Sequence, residues 1–327
     1  RSQLAMGQPS SHGIFVHLYL NGLYWGIYNV VERPSGAFAA AYLGGKREDY
    51  DALNSGKAID GTTESWQRMH ELARKSTSEN VMDALGIFVN LDNLIDYMLV
   101  NFYGGNDDWD SHNWYAARRR DPGARYHFFS WDAERTLDNA EGDDKTLTNN
   151  GNNPSFLFNQ LLRDETFRQR ALSRVQLHFF DDGALTPKRA AARYAEMASE
   201  IEDAIVAESA RWGDAQQEKP FTRNDAWIPE RDRLLQTWFP KRTDVVLEQL
   251  NAAGNLGYIK SPNLKAIGNS VEILATAGTV YFTTDGSDPQ QKDGSPNPTA
   301  TVIKGITVEN VLLPRSSEWK YLDDGSN

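Results

Sequence analysis

Apolar residues alternate along Gly13–Leu20, with Phe15, His17 and Tyr19 on one side of an extended chain and Val16, Leu18 and Leu20 on the other. Asn21-Gly22 follows, and both residues tolerate the positive φ of a two-residue hairpin turn. Leu23–Val31, dense in Tyr, Trp, Ile and Val, reads as the return strand. The pattern therefore predicts an antiparallel hairpin over 13–31. Glu32-Arg33-Pro34 breaks it, and Ser35 predicts the cap of a helix over Gly36–Leu43. Asp49–Asn54 reads as a surface turn, because its spacing fails at the third ligand position of a calcium loop and no glutamate closes it. Glu64–Lys75 has the period of an amphipathic helix with Trp66, Met69, Leu72 and Ala73 inward.

The apolar run Leu94–Tyr103 predicts a buried helix, ended by Gly104-Gly105. Next comes Gly105–Tyr115, which sets Asn106, Asp107, Asp108, Asp110 and Asn113 among aromatic residues. That stretch is too polar for a core and too aromatic for a linker, so it reads as a loop held on a rigid support. Tyr126–Trp131 predicts a buried strand ending on Asp132. Arg118-Arg119-Arg120 reads as a solvated turn, and the polar stretch 136–154 as a mobile substrate-facing loop or a long irregular insertion. Helices are predicted from the cap Ser155 to Leu162, over Glu165–Phe180, from Thr186-Pro187 to about Arg211, and over Pro229–Leu250. Residues 251–261 read as a linker, followed by short strands at Val271–Ala275, Thr279–Thr284 and Ala300–Val308. The fold class is α+β.

Composition removes several functions. The net charge of −11 over 327 residues argues against nucleic acid as a partner. The absence of cysteine excludes disulfides, thiolate metal sites and a cysteine nucleophile. No apolar stretch is long enough to span a bilayer. The six histidines include no zinc-type pair, and no Gly-x-Ser-x-Gly elbow supports a serine hydrolase. The chain starts at Arg1 and stops at Asn327 in mid-texture, and so reads as a fragment.

The remaining chemistry lies in oxygen-bearing side chains. Asp108 and Asn113 stand at the Asp-x-x-x-x-Asn spacing of a protein-kinase catalytic loop, and Asp132 follows as the later carboxylate. Phosphoryl transfer needs a group to take the hydroxyl proton and oxygen ligands for a divalent cation. Asp107 and Asp110 remain alternatives to Asp108, and only the spacing to Asn113 chooses among them.

Leu18–Tyr28 with Glu32-Arg33, then Asn106-x-Asp108-Trp109 with Asn113, then Trp131-Asp132-x-Glu134 resemble the successive motifs of the CotH kinase family, first known from spore coats. The resemblance covers about residues 1–250 and implies an atypical protein-kinase fold. It implies transfer of the ATP γ-phosphoryl group to Ser or Thr hydroxyls of a protein substrate, with Mg2+ or Mn2+. Asp108 would be the catalytic base, and Asn113, Asp132 and Glu134 would hold metal. Glu134 stands where the family commonly has aspartate. Glu32-Arg33-Pro34 would be the hinge that meets the adenine. The phosphate-covering loop and its lysine strand would lie before Arg1, so the chain as given is expected to be inactive.

Gly278–Pro289 resembles the signature of the chitobiase C-terminal-like (GH29D-like) sandwich. That resemblance implies a small immunoglobulin-like β-sandwich over 262–310, and residues 311–327 would open a further domain. It also implies an extracellular or cell-envelope setting with carbohydrate or envelope contact. Two other readings stand beside the kinase: a non-catalytic exported structural protein, and a glycosidase with paired carboxylates.

Overall fold

The computed structural model describes residues 1–254, 256, 263–267, 270–275, 279–291, 295–304, 309–311 and 320–323. A short turn, α1 (Ser2–Ala5), precedes the hairpin of β1 (Gly13–Leu20) and β2 (Leu23–Val31). Register runs from Gly13↔Val31 to Leu20↔Leu23, with an irregularity between Leu18 and Tyr19. Asn21 and Gly22 make the turn at φ 51° and 81°, as the Asn-Gly pair requires. Ser35 caps α2 (Gly36–Leu43) by accepting the Phe38 amide.

The next strands correct the sequence reading. β3 (Tyr50–Asn54) and β4 (Lys57–Asp60) form a second hairpin, where a surface turn was expected at 49–54. Tyr50, Ala52 and Leu53 are at most 1% exposed. Five residues that include two polar positions carry too little periodicity to announce a central strand. The polar residue Asp51 is tolerated there because its carboxylate accepts the Thr62 amide at 2.8 Å and the Ser65 hydroxyl at 3.3 Å.

Beyond α3 (Glu64–Lys75) and α4 (Val81–Leu85) come α5 (Leu91–Gly104), β5 (Trp114–Arg119) and β6 (His127–Ser130). The four strands form an antiparallel sheet in the order β4-β3-β5-β6. α5 is buried almost all round, with Leu94, Ile95, Tyr97, Met98 and Leu99 fully covered. It packs between β6 and a later helix, Glu165–Phe179, and this fixes the loop that leaves its C-terminus.

The helical half contains α6 (Pro154–Leu161), α7 (Glu165–Phe179), α8 (Pro187–Ile201), α9 (Ile205–Trp212), α10 (Ile228–Arg233) and α11 (Phe239–Ala252). Thr186 caps α8 as expected, but that helix ends at Ile201 and α9 begins a new one. The stretch 229–250 is likewise interrupted: π-helical turns at Arg223–Trp227 and Leu234–Trp238 flank α10. Asn153, not Ser155, is the N-cap of α6.

At the far end, β7 (Asn263–Ile267), β8 (Ser270–Leu274), β9 (Thr279–Thr283), β10 (Thr301–Lys304), β11 (Glu309–Val311) and β12 (Lys320–Asp323) make two three-stranded sheets, β11-β8-β7 and β10-β9-β12. β12 pairs with β9, so Lys320–Asp323 shares a sheet with the preceding strands. The expected continuation of β10 over 305–308, the linker residues 257–261, and Trp319 lie outside the described residues. Among the described residues, no helix is long and apolar enough to cross a membrane.

The hairpin is fastened to the helical half along its β2 edge. Glu208 of α9 accepts the Ile27 amide at 2.7 Å, and the Trp212 indole donates to the Trp25 carbonyl at 2.6 Å. Between these bonds lies Gly26 at φ +139°, where a Cβ would come within 2.9 Å of Glu208 Oε2 and 3.1 Å of Trp212 Nε1. The glycine is thus required by backbone conformation and by close approach together. Gly26→Ala is expected to cost about 1–3 kcal/mol and to loosen the hairpin. Urea unfolding, with hydrogen exchange of the Ile27 amide as the local probe, checks this; an unchanged midpoint would contradict it.

Candidate active site around Asp108, Asn113 and Asp132

Gly105, at φ 62° and ψ 36°, ends α5 in the left-handed conformation. The last carbonyls of the helix meet an unusual partner. Arg242 of α11 is fully buried, and its guanidinium donates to the carbonyls of Phe102 at 2.6 Å and Tyr103 at 2.8 Å. The same group holds the carbonyls of Ala140 at 2.6 Å and Asp143 at 2.7 Å. It satisfies helix-end acceptors, places a cation at the negative end of the helix dipole and ties the 136–154 segment to α5.

That segment is irregular, as the second of its two readings had it, and it is pinned along its length. Asn139 accepts the Glu141 and Gly142 amides at 3.1 and 2.9 Å. Asn159 holds the Thr148 carbonyl at 2.9 Å, and the Leu137 amide reaches the Gly104 carbonyl at 2.9 Å.

The three aspartates of the loop separate by environment. Asp107 is exposed and paired with Lys145 at 2.8 Å and Arg135 at 3.3 Å; the Lys145 hydrogen bond, before any other cause, holds its carboxyl below the usual range. Asp110 is fully buried and accepts the Ser155 amide at 3.2 Å and the Ser155 hydroxyl. It anchors the first turn of α6, and burial pushes its carboxyl up to about 6. Asp108 is half-buried between them. Its Oδ2 accepts the Asn113 amide at 3.0 Å and faces His112 Nε2 at 3.6 Å. Its Oδ1 is buried without a partner, a state that needs an explanation because an unsatisfied carboxylate oxygen is costly.

Asn113 spans the site. It sits at φ 62° just before β5, and its amide also donates to the Asp132 backbone carbonyl at 3.3 Å. Asp132 follows β6 at φ 48°, so both residues turn sharply out of paired strands at the same end of the sheet. β5 and β6 place them there by the register Trp114↔Ser130. Asp108, Asn113 and the backbone of Asp132 are therefore in one cluster. Glu134 is exposed, and among the described residues no three Asp, Glu or His side chains are arranged as a metal cage. The residues that would hold a hard divalent ion, Asp132, Asn113 and Glu134, each carry a side-chain oxygen donor that suits it. Mg2+ commonly uses only one or two protein carboxylates with substrate phosphates and water.

The expected hinge is partly committed elsewhere. The Glu32 amide donates to the His12 carbonyl at 3.0 Å and the Arg33 carbonyl accepts the Ser35 amide at 2.7 Å. Those two groups do not await an adenine. The Glu32 carboxylate is held by Tyr42 at 2.9 Å. Arg33 reaches inward instead: its Nε donates to the Tyr115 hydroxyl at 2.9 Å, where Asn54 also donates at 3.1 Å. Tyr115 packs edge-on to Trp131, centroids 5.1 Å apart, so Arg33 braces the strands that end at Asn113 and Asp132. Nothing in the sequence signals the Arg242 clamp, the Asp110–Ser155 anchor or the Arg33–Tyr115 contact, because each joins residues 45 to 140 positions apart.

A carboxyl whose pKa is raised by folding contributes stability that is complete below its unfolded value, near 4. That contribution is lost as pH rises through the folded value, about 6 for Asp110. Asp110→Asn should therefore be more stable than the wild type by roughly 1–3 kcal/mol at pH 8, and the advantage should vanish toward pH 4. Thermal melts of both proteins across that range check it; a pH-independent difference would contradict it.

No curated protein matches the chain. A family model described as CotH kinase protein matches residues 4–246, which takes in the hairpin, the acidic loop, Asp132 and the helical half as far as the middle of α11. With three-quarters of its length under that one model, the chain belongs to the CotH kinase protein family.

Proposed function

We propose that this protein transfers the γ-phosphoryl group of ATP to a Ser or Thr hydroxyl of a protein substrate, with Asp108 as the base. The observation that carries the reading is the Asn113 amide, which bonds both Asp108 Oδ2 and the Asp132 carbonyl and so holds the two acidic residues in one cluster. The acceptor oxygen forms a bond to the γ-phosphorus, the bond from that phosphorus to the β,γ-bridging oxygen breaks, and ADP leaves. Asp108 takes the hydroxyl proton. Its carboxylate is oriented through Oδ2 by the Asn113 amide. A divalent ion, Mg2+ or Mn2+, would be held by Asp132 and the Asn113 carbonyl, with Glu134 as a further ligand through water; bound there, it neutralises charge on the phosphates. The environments of Asp107 and Asp110 support the choice of Asp108. One is already neutralised by Lys145 and Arg135, and the other is consumed in anchoring α6.

The C-terminal strands lie beyond the family match. Their arrangement in two three-stranded sheets supports a sandwich module, for which we propose the role of a spacer in an exported protein.

In the full-length protein, Asp132→Ala should abolish Mg2+- or Mn2+-dependent binding of ATP. Asp108→Asn should keep that binding and lower phosphoryl transfer to Ser/Thr peptides by about 10²–10⁴-fold. Asp107→Ala should change the rate only a few-fold. Isothermal titration and transfer from γ-labelled ATP measure these. Metal-dependent binding that survives Asp132→Ala would remove the metal assignment.

A further inference from the structure

β6 is the outer strand of its sheet, so one row of its backbone groups has no neighbouring strand. Five groups along that row find substitutes. The Tyr126 amide donates to the Phe88 carbonyl at 2.6 Å, and the Tyr126 carbonyl accepts the Asn90 amide at 3.0 Å. The Phe128 amide donates to the Asn93 side chain at 2.6 Å. The last two places are taken by one residue from the start of the chain. Gln3 Nε2 donates to the Phe128 carbonyl at 2.7 Å, and Gln3 Oε1 accepts the Ser130 amide at 3.0 Å. A single carboxamide thus reproduces the donor and acceptor of a paired strand. Gln3 is 2% exposed, and a buried carboxamide is tolerated only with both ends bonded.

We infer that Gln3 is a positioning residue for Asp132. The inference rests on the proposed phosphotransfer reading, in which Asp132 holds the metal. Ser130, whose amide Gln3 fixes, is the last residue of β6, and Asp132 turns at φ 48° two residues later. Aspartate enters the left-handed region more readily than most residues with a Cβ, and bonds on either side of the turn fix it there. Here the chain is held before the turn by Gln3 and at the turn by Asn113, which bonds the Asp132 carbonyl at 3.3 Å. The N-terminal arm is itself well anchored: Gln8 donates to the buried Asp96 at 2.6 Å and accepts from Asn93 at 3.2 Å. Asp96 in turn is held by Arg174 at 2.8 Å and His178 at 3.0 Å. The arm therefore meets β6 directly through Gln3, next to the turn at Asp132, and further back through Gln8 and Asn93 at the Phe128 amide.

The test titrates Mn2+ against binding of the β,γ-imido analogue of ATP in the full-length protein. Gln3→Met keeps the volume and removes both bonds, and it should raise the half-saturating Mn2+ concentration about tenfold, as outer partners of metal ligands do. Gln3→Glu keeps the acceptor for Ser130 but sets a carboxylate against the Phe128 carbonyl, and should raise it further. Val175→Ala, a core truncation on α7, should lower the melting temperature and leave the Mn2+ dependence within twofold. An unchanged Mn2+ dependence in Gln3→Met, where Asp132→Ala abolishes it, overturns the role of Gln3 and leaves the phosphotransfer reading standing. Absence of Mn2+-dependent binding in the wild type overturns both. If Gln3→Met does not fold, hydrogen exchange in the wild type decides. Coupling is reciprocal, so Mn2+ with the analogue should slow exchange of the Ser130 amide, and no slowing overturns the proposal.

Discussion

A helix that ends in the interior must satisfy its last carbonyls without water, and α5 does so with the guanidinium of Arg242. The clamp has three consequences. It lets an almost wholly buried helix stop where a polar loop begins. It holds the carbonyls of Ala140 and Asp143, so that a long stretch rich in Asp and Asn keeps one conformation. It also places α11 against the start of the acidic loop, where a Cβ on Gly105 would lie 3.4 Å from Arg242 Nη2 and 2.7 Å from the Asp143 Cβ. A buried arginine with its donors on carbonyl oxygens is tolerated because the fork of N–H groups matches several acceptors together.

The same accounting of backbone groups explains how the sheet brings its reactive end together. Two strands, β5 and β6, deliver Asn113 and Asp132 to one edge, and both residues leave the sheet at positive φ. Asn and Asp enter this region more readily than other residues with a Cβ. Each is held by bonds from outside its own segment: Asn113 to Asp108 and Asp132, the end of β6 to Gln3, and β5 to Arg33 through Tyr115. The site is therefore made by parts of the chain that are far apart in sequence, and the N-terminal arm is one of them.

Burial assigns the three aspartates their different tasks. Water and two cations neutralise Asp107. Asp110, out of water, has its pKa raised by burial, against the opposing hydrogen bonds from Ser155. Asp108 lies between these limits, with one oxygen oriented and the other unmatched. In the sequence, only the spacing to Asn113 distinguishes these three acids, and their environments add the physical grounds.

The sequence by itself determined the elements whose periodicity is long or whose punctuation is strong. The 13–31 hairpin follows from alternation and Asn21-Gly22, α2 from its Ser35 cap, α5 from an unbroken apolar run, and α8 from Thr186-Pro187. Those signals are local, and the motif spacing from Asp108 to Asn113 and on to Asp132 is equally local. Tertiary structure decided the rest. β3 is too short and too polar to read as a central strand until β4 and β5 pair with it. The helices after Ile201 break at π-helical turns that propensity does not signal. The backbone of the expected hinge is partly spent on His12 and Ser35, and Gln3 lies beside Ser130 only because the arm folds back. The physical reason is common to all of these: a hydrogen bond or a buried contact between distant residues leaves no period in the sequence, and its stabilisation exists only once the chain has closed around it.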